Sequence, residues 1–267
     1  MVATSSTSDG RRRLSWPKLL AWLLAFALGP AFFSVLVVHG DEVESFAGVE
    51  DVVRAEIADT LLMLAIACFV VWRLGWWDVV LHERRRARRW VWIVPAALVS
   101  TSVATIDYSR LASAGAKVTV MLVVATLLIG AAEELMFRGI VLQAFRDRHR
   151  EGVAAVATAL LFGALHLIAG PLAGVSSAIG GYLYYASRRV SGGLLVPIVA
   201  HAAWDFSILS NSATSDPADS ASGPLVLFLV SIALLVLLVI RRGAVGVPPA
   251  GRHASAEPAL EGGAAAP

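Results

Sequence analysis

Charged residues are scarce in this sequence of 267 residues: Asp, Glu, Lys and Arg together make up 16% of the chain. A typical soluble domain has about 25% charged and about 45–50% apolar residues, and a disordered chain is more polar still. Here 57% of the residues are hydrophobic, and the mean hydropathy is +0.72. The composition therefore excludes both of those classes and predicts a polytopic membrane protein.

The scarcity of cysteine, the lack of two common motifs and the low net charge exclude several classes of function. The single cysteine, Cys68, excludes an internal disulfide and a Cys-based metal site. The sequence contains no HExxH motif and no Gly-rich phosphate loop, which are signatures of zinc proteases and of nucleotide-binding proteins. The net charge of +2 is too small to indicate a nucleic-acid partner. The expected partner is instead the lipid bilayer.

Long apolar runs recur along the chain. A helix needs about 20 mostly apolar residues to cross a bilayer, with a range of roughly 17–25. The runs predict an all-α fold, namely a polytopic membrane helical bundle with about eight transmembrane helices. The predicted spans cover residues 19–38, 61–74 with a start a few residues earlier, 90–106, 118–145, 153–168, 172–186, 194–210 and 225–240.

The first apolar run has two interpretations. A secretory signal peptide would have an apolar core of about 7–15 residues and a small-x-small cleavage site after it. The run at 19–38 is longer and no clear cleavage site follows, so a retained anchor is favoured. Residues 41–59 are acidic and polar, and they predict a loop or a surface amphipathic helix. We expect a cytoplasmic tail over 1–17, a membrane-embedded domain over 18–242 and a disordered, Gly-, Pro- and Ala-rich cytoplasmic tail over 243–267.

Basic residues predict the orientation, because Lys and Arg collect in cytoplasmic loops. With eight spans, both termini lie on the same side of the membrane. If that side is the cytoplasm, 18 of the 22 Lys and Arg residues lie inside. Outside are Arg54, Arg110 and Lys117, and Arg138 lies within a span. We therefore expect an integral membrane protein with cytoplasmic termini, and the Ala- and Arg-rich composition favours a bacterial plasma membrane.

Few ionisable residues lie inside the predicted spans, where each costs roughly 2.5–3.5 kcal/mol on insertion scales and usually marks function. Helix rise places Glu133 and His166 about 20 Å from the inner ends of their helices. It places His201 and Asp205 about 11 and 17 Å from theirs. Similar depths on three helices predict one shared site rather than scattered structural charges. Its members are Glu133, Glu134, Arg138, His166, His201 and Asp205.

Spacing divides the first helix of this site into two faces. Glu134 and Arg138 are four residues apart, so they lie on one face and can form an ion pair. Glu133 points about 100° away and would face a cavity. The opposite division, with Glu134 free and Glu133 paired, also remains open.

Spacing also relates the residues on the other two helices. His201 and Asp205 are one turn apart, so the aspartate can fix the tautomer of the histidine. Phe162 lies one turn before His166 and can wall the same pocket. Each of these residues alone has a plain structural explanation, such as a hydrogen-bonded core histidine. Their combination favours a functional site.

Three motifs occur in order on successive hydrophobic segments. Residues 133–138 read EExxxR, residues 162–166 read FxxxH and residues 201–205 read HxxxD. Together they resemble the CPBP family of intramembrane proteases, which includes the CAAX prenyl endopeptidases and the bacteriocin-processing or immunity (Abi) proteins. The resemblance covers roughly 118–210, and the first three spans and the last span carry no family signal.

The resemblance implies an intramembrane endopeptidase of CAAX-protease type that hydrolyses a peptide bond near the cytoplasmic side of the membrane. By motif position, Glu133 and His166 would activate the attacking water. Glu134 and Arg138 would support the site. The implied substrate is a peptide or a membrane protein, and a leader peptide, a membrane-protein tail or a bacteriocin precursor fits better than a prenylated protein.

The third motif departs from the family pattern. The family motif commonly ends in Asn, whereas here it ends in Asp205. The resemblance assigns oxyanion stabilisation to His201 and Asp205. An ionised aspartate only accepts hydrogen bonds, so Asp205 could serve this role only when protonated. An ionised Asp205 would instead orient His201 or help to bind a metal. His201 is therefore the better candidate for stabilising the oxyanion.

The sequence is compatible with catalysis with or without a metal, and with more than one class of function. Two histidines with carboxylates could hold Zn²⁺, although a Glu–His pair can activate water without a metal. A proton- or ion-coupled transporter is the main alternative, because intramembrane Glu and His also form proton relays. A non-catalytic membrane immunity or scaffold protein is another. The candidate metal ligands are Glu133, His166, His201 and Asp205.

Overall fold

The computed structural model describes residues 13–37, 49–214 and 222–245. Within these ranges the secondary structure is helical, apart from one isolated bridge between His82 and Gly193. The expected all-α bundle is therefore confirmed. Its helices are α1 (Trp16–Val37), α2 (Val49–Leu74), α3 (Trp77–Leu81), α4 (Ile93–Ala104), α5 (Tyr108–Glu134), α6 (Leu142–Arg146), α7 (Glu151–His166), α8 (Pro171–Ser191), α9 (Leu195–Thr214) and α10 (Ser222–Ile240).

Seven of the eight predicted spans each overlap one of these helices, and the remaining span, 118–145, runs from α5 through a π-helical segment into α6. Four segments are long and apolar enough to cross a membrane, and Arg89–Ala104 is a shorter apolar helix. The chain is thus an integral membrane protein, while the number of eight spans stays a prediction. The four segments are Glu50–Leu74, Tyr108–Arg146, Glu151–Ala169 and Ser222–Ile240.

Two helices are longer than the apolar pattern indicated. Helix α2 begins at Val49, so the acidic residues from Glu50 onward continue the membrane helix and do not form a separate loop or surface helix. Acidic residues in the first turn suit the positive end of a helix. Lys117 and Arg54 form ion pairs with Glu50, which neutralise this charge. Residues 41–48 and the outer parts of both tails, 1–12 and 246–267, lie outside the described residues.

Helix α5 begins at Tyr108, ten residues before the predicted start of its span. The side chain of Asp107 caps it by accepting a hydrogen bond from the backbone N–H of Arg110 at 3.1 Å. The Ser109 hydroxyl, which donates to the same carboxylate, and this backbone bond hold the pKa of Asp107 below its usual range. Gly115, with a φ of 89°, bends the helix near its N-terminal end, where the polar first segment joins the apolar span.

One end of the bundle collects the basic residues, and we call it the arginine-rich end. It contains the start of α1, the end of α2, the 82–92 loop, the α6–α7 connection and the ends of α8 and α10. Backbone bonds join these segments: Ala87 donates to Arg189, and Arg88 donates to Ala244. The guanidinium of Arg148 donates to the carbonyl of Leu14.

Buried ion pairs stabilise the same end. Arg146 lies 2.7 Å from Glu83 and 2.6 Å from Glu151. Arg189 is fully buried and lies 2.9 Å from Glu151. Arg188, also buried, donates to the carbonyl of Val79 at 2.9 Å. These arginines therefore hold the 82–92 loop against α6, α7 and α8. From the sequence alone, they indicate only the cytoplasmic side.

Glycines permit two close helix contacts that position the site. A Cβ at Gly130 of α5 would lie 2.8 Å from the carbonyl of Ile198 in α9. A Cβ at Gly163 of α7 would lie 2.5 Å from the carbonyl of Gly174 in α8. Small residues at such crossings let helix backbones approach closely in membranes. The three helices that carry the candidate polar residues are thus packed together directly or through α8.

Candidate active site

A π-helical segment, Leu135–Val141, follows α5, so the first motif begins with Glu133 and Glu134 at the end of α5 and ends with Arg138 in the π-helical segment. A π turn interrupts the regular α pattern, and such segments occur frequently at functional sites. All of its residues are buried. The regular helix spacing used for the sequence did not predict this segment, yet Glu134 and Arg138 still meet: Arg138 Nη1 lies 2.7 Å from Glu134 Oε1.

Glu134 has a second partner that the sequence did not indicate. Its Oε1 lies 3.0 Å from Nδ1 of His201 in α9. Because the ion-paired carboxylate only accepts hydrogen bonds, Nδ1 of His201 carries a hydrogen and donates it. Nε2 of His201 then points toward Glu133 Oε2, at 3.6 Å, and toward Asp205 Oδ2, at 3.4 Å. Glu134 therefore orients the imidazole, a role that the spacing suggested for Asp205.

His166 is oriented by the backbone of its own helix. Its Nδ1 lies 2.8 Å from the carbonyl oxygen of Phe162, one turn earlier. A carbonyl only accepts, so Nδ1 carries the hydrogen and Nε2 keeps a free lone pair. This Nε2 lies 3.9 Å from Glu133 Oε2. The lone pair of His166 thus faces the carboxylate of Glu133.

Glu133 lies where the three helices meet. Its Oε2 is buried and has no hydrogen-bond partner among the described residues, although Nε2 of both histidines lies within 4 Å. A buried polar atom is costly to leave without a partner, and water often occupies such positions. The structure therefore brings the two motif histidines and Glu133 together around one polar point.

Aromatic rings enclose this point. Arg138 stacks over the ring of Phe162 at 4.3 Å, and the Phe162 and His166 centroids are 4.5 Å apart. Tyr184 of α8 stacks on His201, with centroids 4.6 Å apart and an interplanar angle of 20°. Phe162 was expected to wall the pocket, whereas nothing in the apolar pattern of α8 distinguished Tyr184 from its neighbours.

Gly181, also in α8, makes room for two of these side chains. A Cβ at this position would lie 3.1 Å from Arg138 Nη2 and 3.3 Å from Phe162 Cδ1. It would also lie 3.2 Å from Cα of Ala159 in α7. The absence of a side chain at position 181 therefore serves the packing of α8 against Arg138, Phe162 and α7.

A cavity of about 690 Å³ adjoins the histidines. His166, His201 and Asp205 line its polar side, and Phe162 and Trp204 also line it. The remaining wall comes from α8, between Leu172 and Tyr184, and from the first two turns of α10, through Leu225 and Phe228. Leu172 and Leu225 are exposed, so the cavity reaches the surface at the ends of these helices that lie away from the arginine-rich end.

Of the four metal ligands suggested by the sequence, Glu133 lies within 4 Å of both histidines, and His201 lies 3.4 Å from Asp205. Across the part of the chain that the structure describes, however, no group of three or more His, Cys, Asp or Glu side chains is arranged to hold a metal ion. Nδ1 of His201 is also engaged by Glu134. The residues as placed therefore do not fit a metal centre.

Residues 115–207 match a family model described as Rce1-like, type II CAAX prenyl endopeptidase. The matched segment contains all three motifs and confirms the resemblance to the CPBP family. Comparison with curated proteins and with solved structures gives no match. In general terms, the match supports a CAAX-protease-like intramembrane endopeptidase that acts on a peptide or protein in the membrane.

Proposed function

We propose that this chain hydrolyses a peptide bond within the membrane, using a water molecule that Glu133 and His166 activate. The observation that carries the proposal is the convergence of Glu133 Oε2 with Nε2 of His166 and Nε2 of His201, both within 4 Å. The match to an endopeptidase family over 115–207 favours hydrolysis over transport.

Two acceptors would position the attacking water. Glu133 Oε2 has no protein partner among the described residues, and the lone pair on His166 Nε2 faces it. A water molecule between Glu133 Oε2 and His166 Nε2 would donate one hydrogen bond to each of these atoms. A lone pair of the water oxygen would then point toward the cavity. This arrangement suits general-base catalysis, in which the base must reach the proton that it removes.

His201 would stabilise the oxyanion. Nδ1 of His201 is held by Glu134, so only Nε2 can contact the substrate. A hydrogen on Nε2 makes the ring an imidazolium, and the nearby carboxylates of Glu133, Glu134 and Asp205 balance its charge. Donors preorganised toward a developing oxyanion supply a large part of the rate in acyl-transfer enzymes. Asp205 then positions Nε2–H and accepts from it until substrate arrives.

The proposed reaction has two steps. The water oxygen bonds to the carbonyl carbon while Glu133 takes its proton, and the carbonyl oxygen becomes an oxyanion that accepts a hydrogen bond from His201. The tetrahedral intermediate then collapses: the C–N bond breaks, and the proton held by Glu133 goes to the leaving nitrogen. His166 accepts a hydrogen bond from the attacking hydroxyl throughout and takes the proton that the new carboxylic acid releases.

The cleavage side was expected to be cytoplasmic, with both termini in the cytoplasm. The gathering of basic segments at one end of the bundle supports the cytoplasmic placement of that end. The cavity, however, extends from the histidines toward the first turns of α8 and α10, at the opposite end. We therefore propose that a substrate reaches the mid-membrane site from that opposite half. Labelling of Phe228→Cys by a membrane-impermeant maleimide from outside intact cells tests this route.

The proposed activity is tested with purified protein in detergent and a peptide library. We expect the wild-type protein to cleave a subset of peptides, and Glu133→Ala and His166→Ala to lose cleavage while they still insert and fold. Glu50→Gln, at the outer end of α2 and away from the site, is the matched control. Glu133→Ala with wild-type cleavage would refute the proposal, and solute flux in liposomes without any cleavage would favour the transporter.

A further inference from the structure

A second cavity, of about 630 Å³, lies between α1 and α2 at the arginine-rich end. We call it the α1–α2 groove. Three cationic side chains line it together with an apolar floor. Its volume is within the range of about 300–1,000 Å³ that is usual for small-molecule sites. The residues that matter for its chemistry are Arg13, Lys18, Arg73, Trp22, Val70 and Leu74.

The three cations have no acidic partner among the described residues. Helix α1 contains no Asp or Glu, and Asp59 is the last acidic residue of α2, about 22 Å from its end by helix rise. Asp78, the next acid along the chain, is already paired with Arg84 at 2.9 Å. Other arginines of this end are paired in buried clusters, as Arg146 is with Glu83. The groove therefore has an excess of positive charge.

The floor of the groove is apolar, and its surroundings resemble a membrane interface. Val70 is fully buried, and Trp22 and Leu74 are half-buried. Trp16 and Trp72 are exposed near the mouth, at the ends of α1 and α2. Exposed tryptophans are typical of the headgroup level of a bilayer. A ligand of this groove would therefore meet cations at one end and aliphatic or aromatic side chains at the other.

We infer that the α1–α2 groove binds an anionic phospholipid. Its phosphate would lie among Arg13, Lys18 and Arg73, and an acyl chain would pack against Trp22 and the apolar floor. Basic pockets between membrane helices at the cytoplasmic face recognise acidic headgroups, and each nearby cation adds to the attraction. A soluble acidic ligand would have no apolar part to pack against the floor of the groove. The apolar floor therefore favours a phospholipid over a soluble acid.

The bound lipid would also join α1 to the family core. Next to the groove, Arg148 stacks over Trp16 at 4.8 Å, and Trp16 packs edge-on against Phe145 at 4.9 Å. Deeper in the membrane, Phe26 of α1 contacts Phe137 of the π-helical segment, with centroids 6.4 Å apart. A lipid held between α1 and α2 therefore stabilises the helix that covers the segment carrying Arg138.

Native mass spectrometry of the full chain in detergent tests this inference, with titration of phosphatidylglycerol, phosphatidylcholine of the same acyl chains, and inorganic phosphate. We expect phosphatidylglycerol to bind at least about 10-fold more tightly than phosphatidylcholine, and phosphate alone not to compete. The triple variant Arg13→Gln, Lys18→Gln, Arg73→Gln should lose about 100-fold in affinity for phosphatidylglycerol.

The matched control carries Arg89→Gln, Arg241→Gln and Arg242→Gln, which remove the same charge outside the groove. It should bind as the wild type does. Should the triple variant not fold, Lys18→Gln alone replaces it, with an expected loss of about fivefold. Equal binding of the two lipids, unchanged binding by the groove variant, an equal loss in the control, or competition by phosphate alone would each overturn the inference.

Discussion

Glu134 Oε1 lies 3.0 Å from Nδ1 of His201, and it accepts from Arg138 Nη1 through the same atom. The residue that helix spacing marks as the partner of Arg138 therefore also determines which nitrogen of His201 faces the site. This one contact connects the first and third motifs. It also makes the Glu134–Arg138 pair part of the proposed catalytic geometry rather than a separate structural feature.

Removal of Glu134 should destabilise the fold. In Glu134→Ala, Arg138 would stay buried without its carboxylate, and breaking a buried pair by removing one partner costs about 3–5 kcal/mol. Thermal unfolding in detergent measures the effect. We expect Glu134→Gln, which still accepts from both partners, to unfold between Glu134→Ala and the wild type. An alanine variant as stable as Glu50→Gln would contradict the assignment.

Tyr184 should act through its ring rather than its hydroxyl. It stacks on His201, and Arg138 lies 5.1 Å from the centroid of the same ring. We expect Tyr184→Phe to cleave peptide within about twofold of the wild type. Tyr184→Leu should lose up to about 10-fold in kcat, because aromatic pairs contribute about 0.5–1.5 kcal/mol beyond area burial. A phenylalanine variant as impaired as the leucine variant would instead assign the role to the hydroxyl.

Gly181 and Gly152 form a matched pair of helix glycines. A Cβ at Gly181 would press on Arg138, Phe162 and Ala159, whereas a Cβ at Gly152 would meet nothing within 4 Å. Gly181→Ala should therefore destabilise by about 1–3 kcal/mol through overpacking. Gly152→Ala should be stabilising by up to about 1 kcal/mol, since alanine has the higher helix propensity. Unfolding of both variants in one detergent measures the contrast, and a stabilised Gly181→Ala would refute the packing.

Chelation of divalent metals should leave cleavage unchanged. His201, the proposed oxyanion donor, is positioned by Glu134, and no three donor side chains of the described residues are arranged for a metal. The test compares cleavage before and after prolonged treatment with a strong chelator. Loss of activity that returns only with added Zn²⁺ would require a metal in place of the Glu–His pair.

The sequence could predict those features that depend on local pattern. Apolar runs located the long helices of the bundle but not the short α3, and the four-residue spacing located the Glu134–Arg138 pair. Similar depth predicted that Glu133, His166 and His201 lie close together, and in the structure Nε2 of each histidine lies within 4 Å of Glu133 Oε2. These predictions succeed because helix rise and helix periodicity convert chain position into depth and direction.

Other features depend on packing between distant segments. Tyr184 contacts His201 across two helices, and no local pattern separates it from Tyr182 or Tyr185. The π-helical segment from Leu135 is part of an apolar helix whose sequence shows no interruption. At the start of α2, Glu50 forms an ion pair with Lys117 of α5, whereas a hydropathy profile counts both residues only as polar. Features of this kind depend on contacts between residues that are far apart in the sequence, and local patterns do not encode such contacts.

The rate of peptide cleavage by Glu133→Gln tests the central claim most directly. The amide keeps the size of the carboxylate but cannot take a proton from water. Single-turnover cleavage in proteoliposomes should fall by at least about 100-fold relative to the wild type, the usual contribution of a general base. Glu50→Gln should cleave at the wild-type rate. A Glu133→Gln protein that folds, inserts and cleaves within about twofold of the wild type would contradict the account.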